Sequence, residues 1–317
     1  MNHIPVLEKE IVHTFSYLSN LKCGIFVDGT AGAGNHSIAI ARSDKNRRPR
    51  AEFIAIDKDE SAIKLSKRNI KKEGLSDCFK FVHDDFKNIK SILEKAEVDR
   101  IDGALLDLGV SSMQLDDSSR GFSFKNTDVD LDMRMDQSQT FSAKDVVNGY
   151  SKFDLLKIIR DYGEEKHAKR ITDNIVVSRK ENPIKTVGDL LKILEQSIPK
   201  KEQFGKIHYA TRTFQAIRIE TNSELDRLRE AIIDFCDVLS SGSKLAIISF
   251  HSLEDRIVKQ TFFDLANPCK CPREMPCICN KKTSIRIITR KPIIASDKEI
   301  KNNPRSRSAK LRIIEKI

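Results

Sequence analysis

The run Asp28-Gly29-Thr30-Ala31-Gly32-Ala33-Gly34-Asn35-His36 places three glycines between an acid and a histidine. Giving up side chains at that density lets a backbone come close to a ligand, and glycine also accepts the conformations of a sharp turn. Gly24-Ile25-Phe26-Val27 before it suits a short strand and Ser37-Ile38-Ala39-Ile40-Ala41 after it suits a helix, so the glycines form a strand-to-helix turn. Three ligand classes compete for such a turn. A Walker loop ends in Gly-Lys-Ser/Thr, where this chain has Gly34-Asn35-His36. A dinucleotide turn reads G-x-G-x-x-G/A, and here Gly32 and Gly34 are followed by Ser37 in the third position. Asp28 repels a pyrophosphate and attracts a cation. That favours S-adenosylmethionine, which carries an ammonium, a sulfonium and a ribose diol but no phosphate.

Further along, Asp57 closes AEFIAID, Phe86 follows Asp84-Asp85, and Asp107 lies in IDGALLDL. A carboxylate at 57 can accept from both ribose hydroxyls at once, and a phenyl ring at 86 can pack on an adenine face. Taken singly, Asp57 serves equally well as the cap of a helix from Asp59, and Phe86 as plain core. On successive strand ends they favour the ligand.

The elements that must position these residues alternate. Strands are expected at 25–28, 51–57, 78–83 and 101–108, with helices at 59–72 and 86–96 between them, the pattern of a doubly wound parallel sheet. The next comparable strand, 244–250, begins far beyond the reach of one crossover helix. In between, Val187, Leu190, Leu191 and Leu194 share a helical face, as do Ala168, Ile171 and Ile175. The expected division is a sheet domain of residues 1–112 and 210–317 with a mainly helical insertion, 113–209, that recognises substrate. A helix is expected to start at Ser223, where Ser-x-x-Asp precedes the stripe Leu225, Leu228 and Ile232. Residues 285–289 and 310–314 read as terminal strands, the latter alternating like an edge.

Composition bounds the partners. The chain has 317 residues and 39% hydrophobic content, enough for a real core, and no run of apolar residues long enough to span a membrane. A soluble, cytoplasmic protein is expected. Lys and Arg number 56 against 46 Asp and Glu, an excess that favours a polyanionic partner such as nucleic acid, although a lysine-rich proteome gives the same excess. Seven cysteines, an odd number, argue against a disulfide framework. Four of them, Cys269, Cys271, Cys277 and Cys279, form C-x-C-x5-C-x-C with prolines at 268, 272 and 276. Four thiolates can close a structural zinc site, although C-x-C is tighter than the usual C-x2-C.

The runs VDGTAGAGNHS, AIDKD, DLGVSSMQLDDSSRGFSF with DLDMRMD, YGEEKHAKRI, TRTFQAIRI, NSELDRL, ISFHSLEDRIVK and NPRSRSAKLRI cover nearly the whole chain. In them the chain resembles the bacterial small-subunit (16S) ribosomal RNA cytosine-N4 methyltransferases. The resemblance implies a class I methyltransferase, Rossmann-like α/β fold with an inserted helical domain. It implies S-adenosylmethionine as donor and a cytosine in the decoding region of the small subunit as acceptor. Carried over by motif, the cofactor contacts are Gly34, Asn35, His36, Asp57, Phe86, Asp107 and Gln114, beside Asp28 and Gly32 from the turn itself. The family turn usually reads Gly-Gly-His; Asn35 departs from it, and asparagine tolerates a left-handed backbone better than other non-glycine residues. The family as a whole does not require the cysteine cluster.

For the chemistry, Asp107 and the Leu108 carbonyl are the candidates to stabilise charge developing on the amine. His251 is a second catalytic candidate, with a structural hydrogen bond as its competing use. Ser111 and Ser112 can orient the base or simply form a turn, and Phe122 and Phe124 can stack on an unstacked nucleotide or pack the core. Arg134, Arg212, Arg218 and Arg305 are expected phosphate contacts. A monomer or homodimer acting on ribosomal RNA or the small subunit is expected. Its rivals are a non-catalytic ribosome-assembly factor that retains the fold and, among enzymes, a dehydrogenase.

Overall fold

The computed structural model describes residues 5–43, 51–205, 207–271 and 278–317. The chain divides into two compact units, Met1–Gly109 with Asp226–Ile317, and Val110–Leu225. The first unit opens with α1 (Glu8–Thr14), β1 (Gly24–Asp28), α2 (Asn35–Ala41), β2 (Ala51–Asp57), α3 (Glu60–Lys72), β3 (Phe79–His83), α4 (Ile89–Lys95) and β4 (Ile101–Asp107). The second holds α5 (Ser112–Asp116), α6 (Ala143–Gly149), α7 (Lys152–Asp161), α8 (Ala168–Glu181), α9 (Val187–Ser197), α10 (Lys200–Gln203) and α11 (Thr211–Thr221). The chain then returns to the sheet through α12 (Leu228–Val238), β5 (Leu239–Ser249), α13 (Ser252–Ala266), β6 (Ile285–Ile287), β7 (Ile293–Ile294), α14 (Asp297–Asn302) and β8 (Lys310–Lys316).

The sheet runs β3-β2-β1-β4-β5-β8-β6, with β7 also paired to β8. The first five strands are parallel and β8 is antiparallel to its neighbours. Central strands read as continuous apolar runs because both faces are covered: Phe53 to Ile56 and Ala104 to Leu106 are all buried. Phe15, Phe26, Phe53 and Phe79 form a continuous row of rings, edge-on, tilted and stacked in turn, with successive centroids 4.9, 5.4 and 4.7 Å apart. Strand order reverses at β1, which has β2 on one side and β4 on the other. The turn leaving β1 therefore opens at the carboxyl ends of the strands at the switch point, where open α/β sheets bind ligands.

Several expectations need correcting. Strand β8 is an interior strand, not an edge. Leu311, Ile313 and Ile314 are buried and Arg312 is neutralised by Asp255, Nε to Oδ1 at 2.6 Å, which the sequence alternation alone did not show. The boundary expected at 210 falls near 226, because Phe214 and Ile217 of α11 join the core of the helical unit with Ile171, Ile175, Val187, Leu190 and Leu194. The helix expected from Ser223 begins at Leu228, since Ser223 and Arg227 both take left-handed backbone angles that interrupt it. The stretch after Asp85 starts with a short 3-10 turn, Phe86–Asn88, before α4. Among the described residues, no helix is long and apolar enough to cross a membrane.

Candidate active site

The glycine turn is held at three strand ends. Gly29 N–H donates to the Leu105 carbonyl at 2.9 Å and Ala31 N–H to the Ile56 carbonyl at 2.8 Å, tying the turn to β4 and β2. Gly32 and Gly34 take left-handed backbone angles, φ +51° and +82°, which glycine adopts without strain. A side chain at Gly34 would also meet Ser66 Oγ at 2.7 Å on α3. Asn35 is the first residue of α2 and is not among the positive-φ positions. Its tolerance for a left-handed backbone is therefore not needed, because the two glycines make the turn.

Asp28 is buried and uses its carboxylate on the turn, accepting from Ser37 Oγ at 2.6 Å and from Thr30 N–H at 3.3 Å. Burial pushes its pKa up, opposed by the Ser37 hydrogen bond. Asp57, at the end of β2, accepts from Gly32 N–H at 2.8 Å and from Asp59 N–H at 2.9 Å. The cap of α3 is Asp59, which accepts from Ser61 N–H at 2.9 Å. Asp57 stays partly exposed, so the second lone pair of each oxygen can accept a ligand hydroxyl. Burial pushes its carboxyl up to about 6 against the pull of the two backbone donors. Phe86 is partly exposed after the end of β3.

Asp107 ends β4, and its backbone N–H donates to Thr30 Oγ1 at 2.6 Å, which joins the turn to the fourth strand. His36 Nε2 lies 3.6 Å from Asp107 Oδ2. Burial opposes a charge on His36, but Asp107 and then Asp28 outweigh it, and its pKa stands above the ordinary histidine value. Both ring nitrogens of His36 and Oδ1 of Asp107 are buried with no hydrogen-bond partner in the protein. Leaving such atoms unpaired costs roughly 1–3 kcal/mol each, so a polar ligand fits here. Thr30 and Ser37, which fix the turn, were not singled out from the sequence, although Thr30 lies in the glycine run and Ser37 directly follows it.

The remaining candidates have partners of their own. Gln114 is buried in the helical unit, where its Oε1 accepts from Ser111 N–H at 3.0 Å in a capping box. His251 caps α13 by accepting from Glu254 N–H, and its Nε2 lies 3.1 Å from Glu254 Oε1. Phe124 stacks on His208 and meets Phe214 edge-on, at centroid separations of 4.5 and 5.3 Å, and Phe122 is buried.

Of the arginines, Arg134 is forked onto Asp132 at 2.7 and 2.9 Å and also donates to the carbonyls of Gln137 and Gln139. Arg218 is forked onto Glu224 at 2.8 and 2.9 Å. Both guanidinium groups are paired with acids of their own unit. Arg305 is partly exposed in a 3-10 turn, Pro304–Ser308. Arg212 is exposed and lines a cavity of about 280 Å³ with Lys166, His167, Glu202, His208 and Tyr209. Cys269, Cys271 and Cys279 bring their sulfur atoms within 4.8 Å of one another, while Cys277 lies outside the described residues.

A model of the MraW methylase family matches residues 1–317. A protein of Clostridioides difficile (strain 630) named ribosomal RNA small subunit methyltransferase H is 48% identical over 319 residues, covering 100% of this chain and 99% of the relative. One of the same name from Finegoldia magna is 47% identical over 318 residues, covering 99% and 98%. The solved structure of an rRNA methylase from Streptococcus thermophilus aligns over 100% of this chain and 99% of its own at TM-score 0.43 and 12% identity. By a match along its full length and identity near one half to these relatives, the chain belongs to the MraW methylase family.

Proposed function

We propose that the protein transfers a methyl group from S-adenosylmethionine to the exocyclic N4 amine of a cytosine in the decoding region of small-subunit (16S) ribosomal RNA. The observation that carries this reading is Asp107 at the switch point, tied to the glycine turn through Thr30 and bearing a buried oxygen that no protein group satisfies. The relatives' printed names support the small-subunit RNA as substrate class.

Adenosylmethionine, when bound, supplies a methyl group made electrophilic by its sulfonium. Gly32 lets the backbone pass close to it, Gly34 and Asn35 shape the turn that faces it, Asp57 accepts hydrogen bonds from its ribose hydroxyls, and Phe86 packs on its adenine. Asp28 holds the turn and adds negative charge where the ligand is cationic. The cytosine amine is a weak nucleophile because its lone pair is delocalised into the ring, so alignment and charge stabilisation must lower the barrier. As positive charge grows on the amine nitrogen, Asp107 Oδ1 accepts one N–H and the Leu108 carbonyl the other, while His36 stands against Oδ2.

On this reading the helical unit Val110–Leu225 recognises the RNA, with exposed Arg212 as a phosphate contact. The protein then works in the cytoplasm as a monomer or homodimer, on the small subunit and with no membrane. A zinc ion on the cysteine cluster would be structural, and the methyl transfer does not draw on it.

The test incubates the purified protein with tritiated adenosylmethionine and small subunits from cells lacking this enzyme. Label in the RNA supports the reading. Stable association with subunits but no label would instead leave a non-catalytic assembly factor.

A further inference from the structure

Between the end of α13 and the start of β6, residues 267–284 form no helix or strand at the described positions. None of the described residues there is buried, and Ile278 is 86% exposed. A stretch that buries no apolar surface gains little from burial to offset the entropy of ordering it. Even so, Cys279 comes back to Cys269 and Cys271, with all three sulfur atoms within 4.8 Å of one another. None of the three is in a disulfide.

Sulfur ligands held 2.3 Å from a tetrahedral ion stand about 3.8 Å apart, so the thiols already lie close to that spacing. Hard cations such as calcium and magnesium take oxygen ligands, whereas clustered thiolates select softer metals, among them zinc. A zinc ion with three or four thiolates carries net negative charge, and Lys270, Lys281 and Lys282 of the same stretch offset it. We propose that Cys269, Cys271 and Cys279 bind a structural zinc ion that pins the return from α13 to β6. Metal–ligand bonds then supply the ordering energy that burial does not, as in small metal-stapled modules.

The test uses the full chain, purified in reducing buffer without chelator, and reads metal rather than methyl transfer. Elemental analysis should find a single zinc ion per chain. Exchange with cobalt should give sulfur-to-cobalt charge-transfer bands, which report thiolate ligation without any substitution. The double variant Cys269→Ser/Cys271→Ser should lower metal content about tenfold or more while its affinity for adenosylhomocysteine is unchanged. Lack of zinc even after reconstitution with zinc chloride, a cobalt spectrum without thiolate bands, or full zinc content in the double variant would overturn the proposal. Each of these results leaves the reading of the methyl-transfer site untouched.

Discussion

On the proposed mechanism Asp107 carries the largest chemical demand, because its carboxylate would stabilise a charge that exists only during the transfer. Replacing it as Asp107→Asn keeps the size and removes the negative charge, so the rate should fall about a hundredfold or more while RNA affinity holds. The assay must be single-turnover with adenosylmethionine saturating, because the residue also adjoins the cofactor turn. A wild-type rate there would move the role to another acceptor such as His251. Asp57 gives a pH signature. Its carboxyl is raised to about 6, so the folded state favours the protonated form. The stability this contributes is fully present below the ordinary carboxylate value and is lost as pH rises through about 6. Ribose hydroxyls need the ionised form, so affinity for adenosylhomocysteine should fall as pH drops below about 6. Asp57→Asn should weaken binding by roughly 1.5–3 kcal/mol and flatten that dependence. Calorimetric titrations with equal slopes in the two proteins would remove Asp57 from the ligand. The acids at the strand ends were legible because each closes an apolar run. The approach of His36 to Asp107 was not, since it depends on side-chain directions set by the packing of the turn against β4.

At the scale of elements, the turn from β1 to α2 depends on Gly34, where a left-handed backbone coincides with close approach to α3. Gly34→Ala should cost roughly 1–3 kcal/mol in chemical denaturation and also weaken adenosylhomocysteine binding, because relief of the clash shifts α2. An unchanged denaturation midpoint would show that the turn has slack. In the helical unit, the Arg218–Glu224 pair is largely buried, with side chains 18% and 6% exposed. Arg218→Met leaves a buried carboxylate without its counter-charge, and should destabilise by about 3 kcal/mol. Adding Glu224→Gln should recover much of that loss, and equal stability of the single and double variants would contradict the assignment. The strands of the parallel half and the faces of α8 and α9 were readable from period alone. The ownership of α11 was not, because an amphipathic helix carries no mark of which core its apolar face will join. Arg218 reads from sequence as a free cation, and only the fold brings Glu224 against it.

Over the whole molecule, the proposed function assigns the excess of basic residues and the exposed Arg212 to phosphate contacts with a large RNA. Binding to small subunits should weaken steeply as salt rises, and Arg212→Glu should make the slope shallower. A flat dependence would point to a protein or small-molecule acceptor. The insertion was visible in the sequence because it separates two strands by more than a crossover needs, while its end was obscured by α11. The most direct test of the account is the identity of the product nucleoside. Small subunits from cells lacking this enzyme are incubated with adenosylmethionine carrying a deuterated methyl group, and their RNA is digested to nucleosides for mass spectrometry. The account predicts deuterated N4-methylcytidine with the wild-type protein, and far less in the same interval with Asp107→Asn. Label on a ring carbon, a ribose or another base, or N4-methylcytidine formed equally fast by Asp107→Asn, would contradict it.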